Sequence, residues 1–476
     1  MPYQGEFANK ASHFDIVKNP EVSQFLEDCD YLNLPSEEEG KAINALFKEP
    51  PTPDENNLPE RVIAIDGSNY ASNINKRLPS TQIGYVKVST VLIDMAKFRS
   101  LRDGRFVDPF RVAELQNNNN AITFTLPSAN IRWKGKATVR NSFRAVVDDH
   151  LYSTKTQLTP GDPATSLRTT LFHLASRRPG VMGTGDPRRL KIYKCPNCKR
   201  PDYDEKGIPK QPQIELQDIS NSQYCPYCEQ EVYPSDCLRL WEEVSEYQSN
   251  ESVMSRFMQV VEHLLPIHYV RYVVENSLIS LGSLAFFVDR PLAIFGTAAW
   301  LHKSIMNYLA EVNKQLSDIG QPRLLMIGLQ KTGQVVDHVN LIERYVQRNR
   351  IFAINDDYRY SYICGRDPVE KGFGVETYYG QDFIYKTPSG RLFVFALPYP
   401  FASKESSSVD FHQAKTETWL YTDLSRAIAL INHFECDLYE NAVIPIALAN
   451  RYTAISLVPG GRVLDLLTRE ILDRKL

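Results

Sequence analysis

The sequence predicts an α/β fold with a four-cysteine module inserted into it. Short apolar strands, such as Arg61–Asp66 (RVIAID) and Leu284–Asp289 (LAFFVD), alternate with stretches of helical spacing. The alternation runs on both sides of residues 191–240, where two CxxC pairs sit among turn-forming residues. At 476 residues, the chain is long enough for two or three ordinary domains or one large one.

Taken in order, residues 1–60 read as a polar N-terminal arm whose proline-rich end, Lys48–Pro59, is a linker. Arg61–Asp66 is a buried strand closed by Gly67 and Ser68, and Thr81–Met95 alternates as the next strand. Ala121–Leu126 is a third strand, and Ser142–Leu151 has helical spacing. Residues 61–190 thus form the first part of the α/β domain, 191–240 the cysteine insertion and 241–476 the second part. In the second part, Tyr269–Leu278 and Ala298–Leu316 read as helices, and Leu284–Val288, Arg323–Leu329 and Leu392–Leu397 as strands. Asp423–Phe434 and Arg462–Asp473 read as further helices. Leu278–Gly296 is the most apolar stretch. Asp289, Arg290 and Pro291 interrupt it, so it reads as a buried strand pair and not as a membrane span.

Composition narrows the function. Lysine plus arginine number 54 and aspartate plus glutamate 57, a formal charge of −3, with 43% hydrophobic and 23% charged residues. That balance excludes a uniformly basic protein and leaves room for a local basic groove. Neither a signal-peptide core nor a P-loop is found, which leads us to expect a cytoplasmic protein that does not itself hydrolyse ATP.

Cys195, Cys198, Cys225 and Cys228 make two knuckles, each supplying two thiolates from one tight turn. Together they suit a closed, structural Zn²⁺ site, with a redox pair as the competing reading. The module could contact DNA, dock a protein or stabilise the fold.

Asp66 and Asp289 each end an apolar strand. Singly, either is a turn-forming aspartate; together they suggest adjacent strands delivering carboxylates to Mg²⁺ or Mn²⁺, as phosphodiester cleavage requires. Glu275, fourteen residues before Asp289, is the candidate third acid, with Glu262 as the fallback. Arg132, Lys134, Lys136, Arg140 and Arg144, interleaved with Trp133 and Phe143, form a candidate nucleic-acid surface. A second basic cluster spans Arg177–Lys194.

The ordered set of AIDGS (Ala64–Ser68), a glutamate, an apolar strand ending in Asp289, IGLQKT (Ile327–Thr332) and PIALANRYTAIS (Pro445–Ser456) resembles the NurA nuclease family. The resemblance spans about residues 60–150 and 250–460, with the cysteine module between them. It implies an RNase H-like mixed sheet flanked by helices and a Mn²⁺-dependent DNA nuclease, usually a homodimer. Such nucleases work with a HerA-type hexameric ATPase in DNA end processing or antiviral defence. Carried over residue by residue, Asp66, Glu275 and Asp289 match the metal-binding acids, and Lys331 a lysine that contacts phosphate. Asn450 stands where the family pattern has a histidine. It can ligate a hard ion through its carbonyl but cannot shuttle protons, which keeps open a catalytically silent adaptor. A zinc-ribbon nucleic-acid-binding protein with an incidental DGS turn is a third reading.

Overall fold

The computed structural model describes residues 14–29, 35–75, 78–100, 102–103, 106–107, 119–198, 213–365, 372–405, 411–436, 441–455 and 460–472. Residues 1–13 of the arm, 199–212 between the knuckles and Ser456 lie outside the described residues.

The core is one eight-stranded mixed sheet. Its strands are β1 (Arg61–Asn75), β2 (Leu78–Asp94), β3 (Asn119–Pro127), β4 (Leu284–Asp289), β5 (Leu325–Gln330), β6 (Arg350–Ala353), β7 (Gly380–Lys386) and β8 (Leu392–Pro398). The spatial order is β6-β7-β8-β5-β4-β1-β2-β3. β1 runs parallel to β4 and β4 to β5, whereas β1, β2 and β3 form an antiparallel meander. The order 3-2-1-4-5, with strands 1, 4 and 5 parallel, is the RNase H-like mixed sheet expected from the sequence.

Helices cover both faces: α1 (Glu37–Leu46), α2 (Val139–Tyr152), α3 (Leu167–Ser176), α4 (Glu251–Leu281), α5 (Leu301–Asp318), α6 (Gln334–Ile342), α7 (Leu424–Phe434), α8 (Ile444–Thr453) and α9 (Gly460–Leu472). Ile63 and Ile65 of β1 face α2–α5 on one side, and Val62 and Ala64 face α7 and α8 on the other. A central strand buried on both faces must be apolar almost throughout, which is why RVIAI carries no alternation.

The predicted strands at 81–95 and 121–126 and the helices at 142–151, 298–316, 423–434 and 462–473 are all present within a few residues. Three expectations change. Leu278–Leu281 ends α4, so only Leu284–Asp289 of the proposed strand pair is a strand. The stretch before β1 is more than a linker: Ile43 and Phe47 are buried against α6, and Lys48 pairs in antiparallel fashion with Ile351, covering the β6 edge. Last, Gly67 and Ser68 do not close β1, which runs on to Asn75 and keeps Asp66 inside the strand. The cysteine module packs on the core. Cys195 and Cys225 belong to the same apolar cluster as α2–α5.

Candidate active site and zinc site

β1, β4 and β5 deliver Asp66, Asp289 and Lys331 to one end of the parallel part of the sheet, the end where α/β folds bind ligands. Ile65 pairs with Val288, so Asp66 and Asp289 follow side by side. Asp289 pairs in turn with Leu329, two residues before Lys331. The Lys331 Nζ lies 3.0 Å from Asp66 Oδ2 and 2.9 Å from Asp289 Oδ2. Asp66 is almost fully buried, and a carboxylate removed from water needs such a partner. Asp66 Oδ1 also accepts the Gly67 N–H at 2.8 Å.

A third carboxylate approaches from the other side of β1. Glu262, on α4, is fully buried beneath Gly67, where a Cβ would stand 2.6 Å from Glu262 Oε1. Glycine at 67 is therefore what lets α4 bring its carboxylate up to the strand. Arg290 Nε donates to Glu262 Oε2 at 3.1 Å, from a residue held at φ 107° by the turn that follows Asp289. Glu262 Oε1 has no hydrogen-bond partner among the described residues.

Burial pushes the Glu262 carboxyl up to about 8; the charges of Asp66 and Asp289 add to this, and Arg290 opposes it. Asp289 rises to about 7, first through burial and then through Asp66, against Lys331. Burial pulls the Lys331 ammonium down, but the charges of Asp289 and Asp66 outweigh it and hold its pKa above the ordinary lysine value. Three crowded carboxylates, one with an unsatisfied oxygen, and an ammonium between two of them are a donor set that suits a hard divalent cation. Lys331 stands between the two aspartates and neutralises them. Among the described residues, only the cysteines bring all their ligand atoms within 4.8 Å of one another.

Glu275 is not part of this group. It lies thirteen residues beyond Glu262 on α4, about 20 Å along a helix, just before the non-helical Ser277. There it is half exposed and pairs with Arg271 at 3.2 Å. Asn450 is exposed on α8, which packs on β1 and β2 over the face that carries Asp66. Among the described residues, its side chain makes no hydrogen bond with the acids.

The basic cluster divides. Arg144 is buried in an ion pair with Asp236 at 2.6 Å and donates to the Glu231 carbonyl at 3.0 Å. Lys136 pairs with Glu231, and Arg140 is half-buried, its backbone N–H on Glu246. Arg132 and Lys134 remain exposed, with Lys134 over the Trp133 ring at 4.3 Å. Thus Arg144, expected at a nucleic-acid surface, instead fastens α2 to the cysteine module. In the second cluster, Arg177 pairs with Glu311, Arg189 with Glu215 and Lys194 with Glu242.

The four cysteines converge as the spacing predicts. Cys195 Sγ lies 3.6 Å from Cys228 Sγ, and Cys198 Sγ lies 3.7 Å from Cys225 Sγ. A tetrahedron of ~2.3 Å Zn–S bonds sets sulfurs ~3.8 Å apart, so the free thiols fit a structural zinc.

Against this geometry, the family model for the NurA domain matches residues 60–455. The chain belongs to the NurA family. No curated protein matches it. Two solved NurA structures are similar at 10% identity. The NurA nuclease from Sulfolobus solfataricus has a TM-score of 0.32, covering 98% of each chain. A NurA with manganese has a TM-score of 0.22, covering 97% of this chain and 98% of the other. Membership supports a nuclease-type function, and the acid site lies inside the matched span. No helix among the described residues is long and apolar enough to cross a membrane.

In the sequence, Glu262 ranks behind Glu275 as the third acid, and Arg290 stands out only as a break in an apolar stretch. The signal for Arg290 was the charge placed directly after the strand-ending Asp289, where the chain must turn.

Proposed function

We propose that this NurA protein is a cytoplasmic, divalent-metal-dependent DNA nuclease, with Mn²⁺ or Mg²⁺ at the acid site and Zn²⁺ at the cysteines. In this reading it is a homodimer acting with a HerA-type ATPase in end processing or defence. The observation that carries the proposal is the convergence of Asp66, Asp289 and Glu262 around Lys331 within the span that defines the family. A divalent ion bound there supplies Lewis acidity and an activated water for phosphodiester hydrolysis.

Asp66 and Asp289 would hold the ion from adjacent strands, with Glu262, whose Oε1 has no hydrogen-bond partner among the described residues, as the third acid. Arg290 fixes the other oxygen of Glu262, and Lys331 neutralises charge at the attacked phosphate. Exposed Arg132 and Lys134 hold the DNA backbone. The test is cleavage of end-labelled linear DNA by zinc-loaded protein with Mn²⁺, Mg²⁺ or EDTA, with and without a HerA-type ATPase. Cutting that needs the divalent ion supports the reading. No cutting under any condition favours the silent adaptor, the alternative that Asn450 keeps in play.

Two results separate the acids. Glu262→Gln is expected to slow cleavage at saturating Mn²⁺ about 100-fold, since it removes one of three carboxylates. Glu275→Ala removes only an exposed i,i+4 pair and should stay within about twofold of wild type. Equal losses in the initial rates would place the third acid elsewhere.

The acids also set a pH dependence. Glu262 and Asp289 have folded pKa values of about 8 and about 7, above their unfolded ones. Their contribution to stability is fully present below the unfolded carboxylate range and is lost as pH rises through 7 to 8. The metal-free protein should therefore melt several degrees lower at pH 8.5 than at pH 5.5. Mn²⁺, which binds the ionised acids, should raise the melting temperature more at the higher pH. An Mn²⁺ shift equal at both pH values, read by calorimetry, would count against these ligands.

A further inference from the structure

We propose that Ser89 is a positioning residue for Asp66, an inference that rests on the nuclease reading above. On β2, Ser89 is the direct cross-strand partner of Asp66. Such partners present their side chains on the same face with Cβ atoms about 4.5–5.5 Å apart, within reach of a hydroxyl and a carboxylate. The face is the one carrying Val62, Ala64 and Val91, all packed under α7 and α8. Ser89 is fully buried, and its Oγ has no hydrogen-bond partner among the described residues.

A buried hydroxyl without a partner is unfavourable, and valine would fill a strand position like this one at no such cost. The neighbouring carboxylate accounts for the serine. Asp66 Oδ1 accepts from the Gly67 N–H and Oδ2 from Lys331. Each oxygen has a second lone pair, so the carboxylate can take another donor. With the carboxylate holding an ion and no longer Lys331, the Ser89 hydroxyl would donate to Asp66 from the adjacent strand and fix its rotamer. Ligating carboxylates are commonly held by such outer hydrogen bonds, whose loss weakens metal binding or activity 10–100-fold. Ser89 touches neither phosphate nor water in this arrangement; it acts through Asp66.

The test compares wild type, Ser89→Ala and Ser89→Thr as zinc-loaded full-length protein. The readouts are Mn²⁺ affinity without DNA by calorimetry, kcat and KM on linear DNA, and melting temperature. Expected for Ser89→Ala are about 10-fold weaker Mn²⁺ binding and about 10-fold lower kcat, with KM and metal-free melting temperature unchanged. Ser89→Thr, which keeps the hydroxyl, should recover most of both losses. Wild-type affinity and kcat in Ser89→Ala overturn the proposal and leave the nuclease reading standing. A loss that tracks melting temperature, with no recovery in Ser89→Thr, also overturns it. Wild type that binds Mn²⁺ in a Ser89-dependent way but cuts nothing sinks the nuclease reading and upholds the role of Ser89. Wild type that binds no Mn²⁺ overturns both.

Discussion

Asp66→Ala is expected to lower metal-dependent cleavage by about 10³-fold or more while leaving the zinc-loaded protein folded. Asp66 has the largest leverage because three of the site's contacts converge on it. It shares Lys331 with Asp289, accepts the Gly67 N–H and adds its charge to those raising Glu262 and Asp289. Taking the carboxylate away removes an ion ligand and relaxes the electrostatic crowding that makes the other two acids avid for a cation. The fold should tolerate the change. Lys331 keeps Asp289 at 2.9 Å, and one fewer carboxylate is forced out of water. The metal-free melting temperature should therefore hold or rise even as cleavage disappears. That opposite movement separates a lost active site from a damaged protein. It also decides against the adaptor: a silent scaffold would perform its biological role equally well with alanine at 66. Undiminished cleavage in Asp66→Ala would move the chemistry out of this site altogether.

How much of the site could be read beforehand follows from which periodicities survive burial. Asp66, Asp289 and Lys331 were legible because each follows an apolar run, and a charge there in an α/β sheet points to the ligand-binding edge, although β1 itself continues past Asp66 to Asn75. The parallel register that sets the two aspartates side by side needed no further information. Glu275 misled because its helix was read as short. α4 descends antiparallel to β4 before the chain turns back, so a residue beside Asp289 must lie about one strand length up the helix. β4 has six residues and rises ~20 Å, whereas Glu275 is six residues, ~9 Å, from the helix end at Leu281. Glu262 stands further up, in a stretch where Gln259–His268 are all buried. With no polar stripe there, spacing could not show which face meets the sheet. The basic run at 132–144 misled for a different reason. A lysine or arginine shows its charge in the sequence but not its partner, and the acids that neutralise Lys136 and Arg144 come from Glu231 and Asp236, some ninety residues away.

Those same partners make the zinc site the second place where a single substitution should have a large effect. Cys225→Ser is expected to release zinc and lower the melting temperature by about 10 °C or more, or to abolish cooperative unfolding. Cleavage should be lost with the fold. A zinc module that only recruited a partner would be joined to the core by a linker, and its loss would leave the remainder intact. Here Cys195 and Cys225 are buried in the cluster that backs the sheet. Arg144–Asp236 crosses from α2 into the segment after the second knuckle with both side chains out of water. Arg168 of α3 bridges Asp148 and Asp218, Ser235 N–H donates to Asp148, and Trp300 donates to the Cys237 carbonyl. Freeing the knuckles lets these acids and cations separate, and breaking one buried pair alone costs ~3–5 kcal/mol. An ion at the cysteines would therefore hold together the half of the core that carries α4, and through α4 the carboxylate of Glu262. The decisive measurement pairs zinc content with calorimetry and cleavage on Cys225→Ser. Zinc-free protein that melts and cuts like wild type would show that the module stands apart from the nuclease core, despite the contacts that join them.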